Sequence, residues 1–296
     1  MRSINALAPS SSSRVPAVSL PVRRLPRALP AVIVMIVLVA IMVLPFLWMF
    51  STSLKAQQYI LEMPPRLIPN PLTLESYTGL AERIDLARTF YNSVFVGIVG
   101  TIGQIFVSSM AAFAFARMQW RGRDTVFVMY LATMMIPSVV LVIPQFILIR
   151  SLGWMNSYAA LIVPALFSAF GTFLLRQSFL GLPKDFEEAA VVDGASPFTI
   201  FWQIVLPLSQ PALATLAVFS FMGLWNSYLW PLFVARQAAV QTLPVALATL
   251  QAGPRALTEW NMVMAGAVIT VLPILLLYML AQRWFVRGVV SSGIKG

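Results

Sequence analysis

The sequence predicts an all-α integral membrane protein with six transmembrane helices. Hydrophobic residues make up 59% of its 296 residues and charged residues only 10%, and the mean hydropathy is +0.84. A soluble domain carries roughly 25% charged residues. A helix that crosses the hydrocarbon core needs about 20 mostly apolar residues. Six uncharged runs meet this need, at about 31–50, 89–116, 125–149, 151–175, 205–235 and 260–282.

The residues before the first run predict a flexible tail. Residues 1–29 are rich in Ser, Pro and Arg, a composition that cannot bury an apolar core. A cleaved signal peptide is the alternative. However, the apolar run is longer than a usual signal core, and no Ala-x-Ala cleavage site follows Phe50. We therefore expect a tail at 1–29 and one membrane domain at 30–296.

The fifth run is the least regular of the six. Its uncharged stretch begins near Gly194 and continues to Ala235, which is longer than one span needs. Pro197, Pro207 and Pro211 predict that the first part is broken, because proline interrupts helical hydrogen bonding. A seventh short span in this region is the alternative.

The distribution of basic residues predicts the orientation. With the N-terminus inside, 13 of the 20 Lys and Arg residues lie in inner segments. The other seven lie in outer segments and are Lys55, Arg66, Arg83, Arg88, Arg150, Arg236 and Arg255. Because cytoplasmic loops carry the excess of Lys and Arg, both termini are expected in the cytoplasm. The net charge of +10 is spread over several loops, so we do not expect nucleic-acid binding.

Several classes of chemistry are excluded by the residues that the sequence lacks. The chain has no Cys and no His, which removes disulfides, thiolate chemistry and the commonest metal ligand. The six uncharged runs contain no Asp, Glu, Lys or Arg. Ion-coupled carriers usually place such residues within their spans, so an ion-coupled secondary carrier is disfavoured and an external energy source is indicated.

A polar loop at about 183–207 separates the fourth run from the fifth. Asp185, Glu187 and Glu188 suit the first turn of a helix, where the helix dipole favours negative charge. Gly194 is suited to end that helix in a left-handed conformation, and Ser196 can cap a second helix. The loop is thus predicted to be two helices joined by a turn. An ordinary helical hairpin on the membrane surface is the alternative.

The spacing within this loop resembles a known family pattern. Glu188-Ala189-Ala190 is followed after three residues by Gly194, and after nine more by Ile204-Val205-Leu206-Pro207. This string resembles the EAA loop of permease subunits in binding-protein-dependent ABC importers. The resemblance implies that the first helix is a coupling helix that docks in a cleft of an ATP-binding subunit. The implied coupling residues are Glu187, Glu188, Ala189, Ala190, Asp193, Gly194, Ala195, Leu206 and Pro207.

Other segments resemble the carbohydrate-uptake branch, the maltose-type permease family. They are Asp193-Gly194-Ala195, the segment 225–232 and the ending 285–296. The resemblance covers nearly everything after residue 30. It implies the permease subunit of an ATP-driven sugar importer that forms half of the translocation pathway in a bacterial or archaeal cytoplasmic membrane. The implied partners are an ATP-binding cassette ATPase dimer, a second and different permease, an extracytoplasmic solute-binding protein and a sugar.

The chain itself has no signature of an enzyme. No Gly-x-x-x-x-Gly-Lys-Ser/Thr phosphate loop occurs, so we expect it to bind no cofactor, with ATP and Mg on the partner ATPase subunits. An ABC permease for a non-sugar solute, such as glycerol phosphate or an amino acid, is the principal alternative. A structural membrane scaffold is a further one.

Aromatic and amide residues in the fifth run are candidates for the solute path. Aromatic faces pack on sugar rings and amides bond hydroxyl groups, a mixture that is typical of concave binding sites. An interfacial aromatic belt is the alternative reading. The candidates are Trp225, Asn226, Tyr228 and Trp230.

Three uncharged polar residues lie within other runs. They are Asn92, Gln104 and Gln145. For these residues, hydrogen bonding between helices is the expected role, and a contact with solute is the alternative.

Overall fold

The computed structural model describes residues 29–251 and 259–292, and within these residues the regular structure is helical without any strand. The predicted all-α class is thus confirmed. Apart from Leu29, the tail predicted for 1–29 lies outside the described residues.

The described helices follow the predicted apolar runs, with additional short helices in the connections. The α-helices are α1 (Leu29–Ser53), α2 (Glu75–Arg83), α3 (Leu86–Arg117), α4 (Arg123–Ala132), α5 (Ser138–Ser151), α6 (Tyr158–Ile162), α7 (Ala169–Leu180), α8 (Asp185–Val192), α9 (Pro197–Ile200), α10 (Leu206–Leu208), α11 (Gln210–Trp225), α12 (Leu229–Val234), α13 (Leu243–Thr249) and α14 (Trp260–Ser292). Short 3₁₀ helices cover Gln57–Tyr59, Thr133–Met135 and Val163–Leu166, and a π-helical turn covers Phe201–Val205.

Three described helices are long and apolar enough to cross a membrane unaided, at Pro30–Ser53, Leu86–Arg117 and Trp260–Leu280. Three bent pairs meet the same criterion jointly: α4 with α5 at 100°, α6 with α7 at 42°, and α9–α10 with α11 at 80°. The described residues therefore hold three spans, or up to six if each bent pair is one span. The predicted number of six spans is reached only if each bent pair is counted as one span.

Prolines and their neighbours lie at the sharpest bends. Ile136, which precedes Pro137, is extended with φ −81° and ψ 118°, the conformation that a following proline favours. The predicted break in the fifth run falls at Ser209, between Pro207 and Pro211. The 12-residue segment 197–208 is only about 18 Å long as a helix, which is too short for a seventh span.

The chain divides into two compact units, residues 1–47 and 48–296. The first unit contains most of α1, which is apolar on all sides. Within the second unit, α3 packs against both α7 and α11. Glycines permit the close approach of α11, because a Cβ at Gly97 would lie 2.9 Å from Phe221 and one at Gly100 would lie 2.7 Å from Leu224.

The core of the second unit contains two groups of buried apolar residues that both include α3. The group at the C-terminal end of α3, hereafter the Phe113 cluster, comprises Ala112, Phe113, Ala116, Leu175, Phe179, Ile200, Phe201, Val205 and Leu216. The group nearer the N-terminal end of α3 comprises Val96, Ile149, Ala160, Leu161, Val234, Ala235 and Val240. Because α3 contributes to both groups, this helix joins the two ends of the unit.

Asn92 has the structural role expected from the sequence. Its side chain is fully buried and accepts a 2.6 Å hydrogen bond from the Tyr158 hydroxyl. Its amide group donates to the carbonyl oxygens of Ala239 and Gln241, at 3.2 and 2.8 Å. Asn92 thereby holds the segment before α13 against α3.

The predicted orientation can be tested by cysteine labelling in this cysteine-free chain. Thr78, Gln237 and Gln119 are all exposed, the first two in predicted outer segments and the third in a predicted inner one. Cysteines at Thr78 and Gln237 should react with an impermeant maleimide on intact cells, and one at Gln119 only after permeabilisation. Labelling of Gln119→Cys from outside would contradict the predicted orientation.

Candidate functional site

The predicted loop forms a helix, a glycine turn and a second helix. The first helix, α8, carries Asp185, Glu187 and Glu188 in its first turn. It ends in a Schellman motif, in which the Ala195 N–H donates to the Ala190 carbonyl at 2.9 Å and the Gly194 N–H donates to the Val191 carbonyl at 3.0 Å. Gly194 has φ +80°, a left-handed conformation that glycine adopts without strain.

The second helix begins as the sequence predicts and then changes its hydrogen bonding. The Ser196 hydroxyl accepts from the Thr199 N–H at 3.2 Å, and Pro197 is the first helical residue. The π-helical turn at Phe201–Val205 lies just before Pro207, which has no N–H to donate to the Gln203 carbonyl. The helix then ends at Leu208, so the loop is separated from α11 by the 80° bend.

One side of the loop rests on the body of the protein. Ala190, Ala195 and Leu206 are half-buried against the Phe113 cluster. Alanine at 190 and 195 keeps this contact short, because a Cβ is the whole side chain. The loop is thus packed on the ends of α3 and α7.

Several apolar side chains of the loop are exposed. Val192 is 87% exposed and Phe198 is 65% exposed, and Phe186 and Val191 are exposed as well. Glu188 is exposed beside them. A group of exposed large apolar side chains on one loop is typical of a protein-interaction surface. We call this group, Phe186, Glu188, Val191, Val192 and Phe198, the docking face.

A buried arginine ties the loop to α3. Arg117 is the last residue of α3, and its side chain is only 6% exposed. Its Nε lies 2.7 Å from Oε1 of Glu187, an ion pair without the alignment of a hydrogen bond. Its Nη2 also donates to the Leu182 carbonyl at 3.0 Å. Glu187 therefore binds within the chain, whereas Glu188 is exposed.

A second arginine joins the neighbouring helix ends. Arg176 on α7 donates from Nε to the Phe115 carbonyl at 3.2 Å, and its guanidinium lies over the Phe127 ring at 4.1 Å. Its Nη2 is 3.5 Å from Oδ1 of Asp124. Together with Arg117, it connects the loop to α3, α4 and α7. From the sequence, these two arginines are assigned only to the orientation of the chain. Their position at the ends of apolar runs is the one sequence signal of a structural role.

A groove of about 340 Å³ lies among α3, α5, α7, α11 and α12. Among the described residues, no Asp, Glu, Lys or Arg lines it. Trp230 contributes its ring, since its indole N–H donates to the Ala160 carbonyl at 2.8 Å. The polar lining residues are Gln104, Gln145, Ser220 and Ser227.

The four predicted solute-path residues separate in the structure. Trp230 lines the groove, but Trp225 is only 1% exposed and donates its indole N–H to the Thr270 carbonyl at 3.0 Å. Asn226 and Tyr228 are exposed, and the Asn226 amide donates to a carbonyl one turn earlier in α11. The helix break after Trp225 accounts for this separation.

The amides of Gln104 and Gln145 lie in the groove rather than between helices. Among the described residues, neither amide has a hydrogen-bond partner, unlike Asn92. The helix-to-helix role expected for these two glutamines is thus not seen in this part of the chain.

Comparison with known proteins identifies a family. The sequence profile of the binding-protein-dependent transport system inner membrane component family matches residues 104–291. The arabinooligosaccharides transport system permease protein AraQ of Halalkalibacterium halodurans is 36% identical over 259 residues, covering 86% of this chain and 92% of that protein. The sn-glycerol-3-phosphate transport system permease protein UgpE of Brucella abortus is 35% identical over 267 residues, covering 88% and 95%.

Two solved structures have a similar fold. One is the crystal structure of a bacterial ABC transporter involved in the import of the acidic polysaccharide alginate, with a TM-score of 0.79, 23% identity and coverage of 88% of this chain and 96% of that chain. The other is a bacterial alginate ABC transporter in complex with an alginate pentasaccharide-bound periplasmic protein, with a TM-score of 0.61, 13% identity and coverage of 86% and 93%.

Removal of the ion pair between Arg117 and Glu187 is predicted to lower the local stability of the loop. Removing one member of a buried ion pair costs about 3 kcal/mol, because the other charge is left unpaired. In Arg117→Ala and in the near-isosteric Glu187→Gln, amide hydrogen exchange across 184–195 should therefore become faster. Glu188→Gln, at the exposed neighbouring position, should leave exchange unchanged. Equal exchange in all three variants would show that the ion pair does not hold the loop.

Proposed function

We propose that this chain, which belongs to the family of binding-protein-dependent transport system inner membrane components, is the permease subunit of an ATP-driven sugar importer. Family membership makes the chain a membrane component of the transport system and not its ATPase. In the proposal it forms half of the translocation pathway, and energy arrives from outside the chain. The sequence has no phosphate loop, which agrees with hydrolysis of ATP by another subunit.

The observation that carries the proposal is the anchored loop with its docking face. α8 presents exposed apolar residues and Glu188, and its Glu187 is paired with the buried Arg117. A partner that binds the docking face and moves would displace α8 together with the end of α3. We propose that this partner is an ATP-binding cassette ATPase dimer, which carries ATP and Mg on its own subunits.

Two further partners complete the proposed complex. The groove is not enclosed by the described residues, and we propose that a second, different permease closes the pathway. An extracytoplasmic solute-binding protein would deliver the solute, as the family description implies. With both termini in the cytoplasm, the loop lies on the side where the ATPase acts.

The proposed solute is a sugar. The AraQ relative carries the name of an arabinooligosaccharide transporter, and the groove combines aromatic rings with uncharged polar groups. A phosphorylated solute is the second candidate, because the UgpE relative is named for sn-glycerol 3-phosphate.

Gly194→Val tests the coupling role of the loop. Valine at φ +80° would be strained by about 1–3 kcal/mol, which should distort the turn and the docking face. We expect the binding protein to retain its solute, while ATPase co-purification or solute-stimulated ATP hydrolysis in reconstituted vesicles is lost. Glu188→Lys should give the same result by reversing an exposed charge on the docking face.

Gly181→Val is the matched control, since Gly181 precedes the same loop but has φ −77°. This variant should retain both the ATPase and stimulated hydrolysis. If Gly194→Val and Glu188→Lys also retained both at the level of the unmodified protein, the loop would be only a connection between spans.

A further inference from the structure

We infer that the groove in this subunit is itself a subsite for a neutral, polyhydroxylated solute and disfavours phosphate esters and other anions. The inference rests on the proposed function, and it assigns solute contact to this permease rather than to its partner alone. It concerns the residues Gln104, Gln145, Ser220, Gly223 and Trp230.

The first support is a set of polar groups without partners. Ser220 lines the groove and is only 6% exposed, and its hydroxyl has no hydrogen-bond partner in the described chain. Gln104 and Gln145 add two amides that are also unpartnered among the described residues. Buried polar groups are normally hydrogen-bonded, because leaving one unpaired is costly. Gln104 and Gln145 are only half-buried, so their amides are available to hydroxyl groups of a solute in the groove.

The second support is the aromatic part of the lining. The Trp230 indole N–H is already bonded to the Ala160 carbonyl, so its ring is fixed in place. Phe170 and Phe219 form an edge-to-face pair with ring centroids 5.8 Å apart. A sugar presents C–H faces that alternate with hydroxyl edges. The fixed aromatic rings would contact the C–H faces, and the hydroxyl and amide groups beside them would bond the hydroxyl edges.

The third support is the charge of the lining. None of the described residues that line the groove is ionisable. The cations of α3 lie at its two ends, and Gln104 is separated from Arg88 by about 24 Å and from Arg117 by about 20 Å along the helix axis. A phosphate held here would be desolvated without a paired cation, which is strongly unfavourable. Gln104 also lies near the middle of α3, where a solute crossing the membrane must pass.

Gly223 makes a direct steric test available. It lies in α11 and lines the groove, and a Cβ built there would meet no described residue beyond its own helix backbone and chain neighbours within 4 Å. A larger side chain at this position would thus occupy the groove without disturbing the packing of α11. Gly97 and Gly100, in contrast, contact α11 side chains closely and are unsuitable.

The experiment measures uptake by the complete complex in vesicles with the binding protein outside. The probes are arabinose, arabinotriose, glucose and maltose, with sn-glycerol 3-phosphate and glucose 6-phosphate as anions. Gln104→Ala, Gln145→Ala and Ser220→Ala should each lower the maximal uptake rate of a neutral sugar by about three- to tenfold, the range expected for one lost hydrogen bond. The KM for that sugar should stay unchanged, because the binding protein captures it.

Ser108→Ala is the matched control. Ser108 is on α3 one turn from Gln104, and its buried hydroxyl is also unpartnered in the described chain, but it does not line the groove. This variant should transport at the unmodified rate. Gly223→Leu should reduce uptake more than tenfold with normal membrane levels and ATPase assembly, and Gly223→Ala should have a smaller effect.

The outcomes separate the inference from the proposed function. ATP-dependent uptake at unmodified rates in every groove variant would overturn the subsite and leave the importer intact. ATP-dependent uptake of a phosphate ester without uptake of any neutral sugar would overturn the solute class. Uptake of a neutral sugar that did not depend on ATP would instead overturn the proposed function.

Discussion

The buried contact of Arg117 with Glu187 and the Leu182 carbonyl is the interaction on which the rest of the site depends. It fixes α8 to the end of α3, and α3 is the helix that packs on both α7 and α11. The same helix carries Gln104 into the groove. In the proposed function, a displacement of the docking face would therefore reach the groove through one continuous helix. Because a charge that loses its partner in this environment is costly, the loop and the end of α3 are expected to move together.

The bend at Ser209 divides one uncharged stretch into a part that packs with the loop and a part that lines the groove. Before the bend, α9, the π-helical turn and α10 lie with the loop and supply Ile200, Phe201 and Val205 to the Phe113 cluster. After the bend, α11 carries groove residues and packs along α3. Prolines on both sides of Ser209 remove the backbone hydrogen bonds that would otherwise continue the helix. In the proposed complex, one chain segment would thus lie near the ATPase at one end and near the solute at the other.

Local rules in the sequence predicted the features that depend on a few neighbouring residues. The left-handed Gly194, the Ser196 cap and the break near Pro207 and Pro211 belong to this class. Features that depend on tertiary packing were not predictable. Nothing local indicates that Arg117 points at a carboxylate 70 residues later, or that Gln104 and Gln145 face a shared groove. The aromatic candidates come from one uncharged run, but the break after Trp225 places Trp225 and Trp230 in different surroundings.

The central claim is that α8 and the adjoining half of α3 move as one body when the ATPase binds ATP. Spin labels on cysteines introduced at Met110 of α3 and at Lys184, just before α8, measure this directly, since both positions are exposed and the chain has no other cysteine. Electron–electron distance measurements on the assembled complex should give the same distribution without nucleotide and in an ATP-trapped state. In Arg117→Ala the distribution should shift or broaden on trapping. A shift on trapping in the chain that retains Arg117 would contradict the claim, because the loop would then move independently of α3.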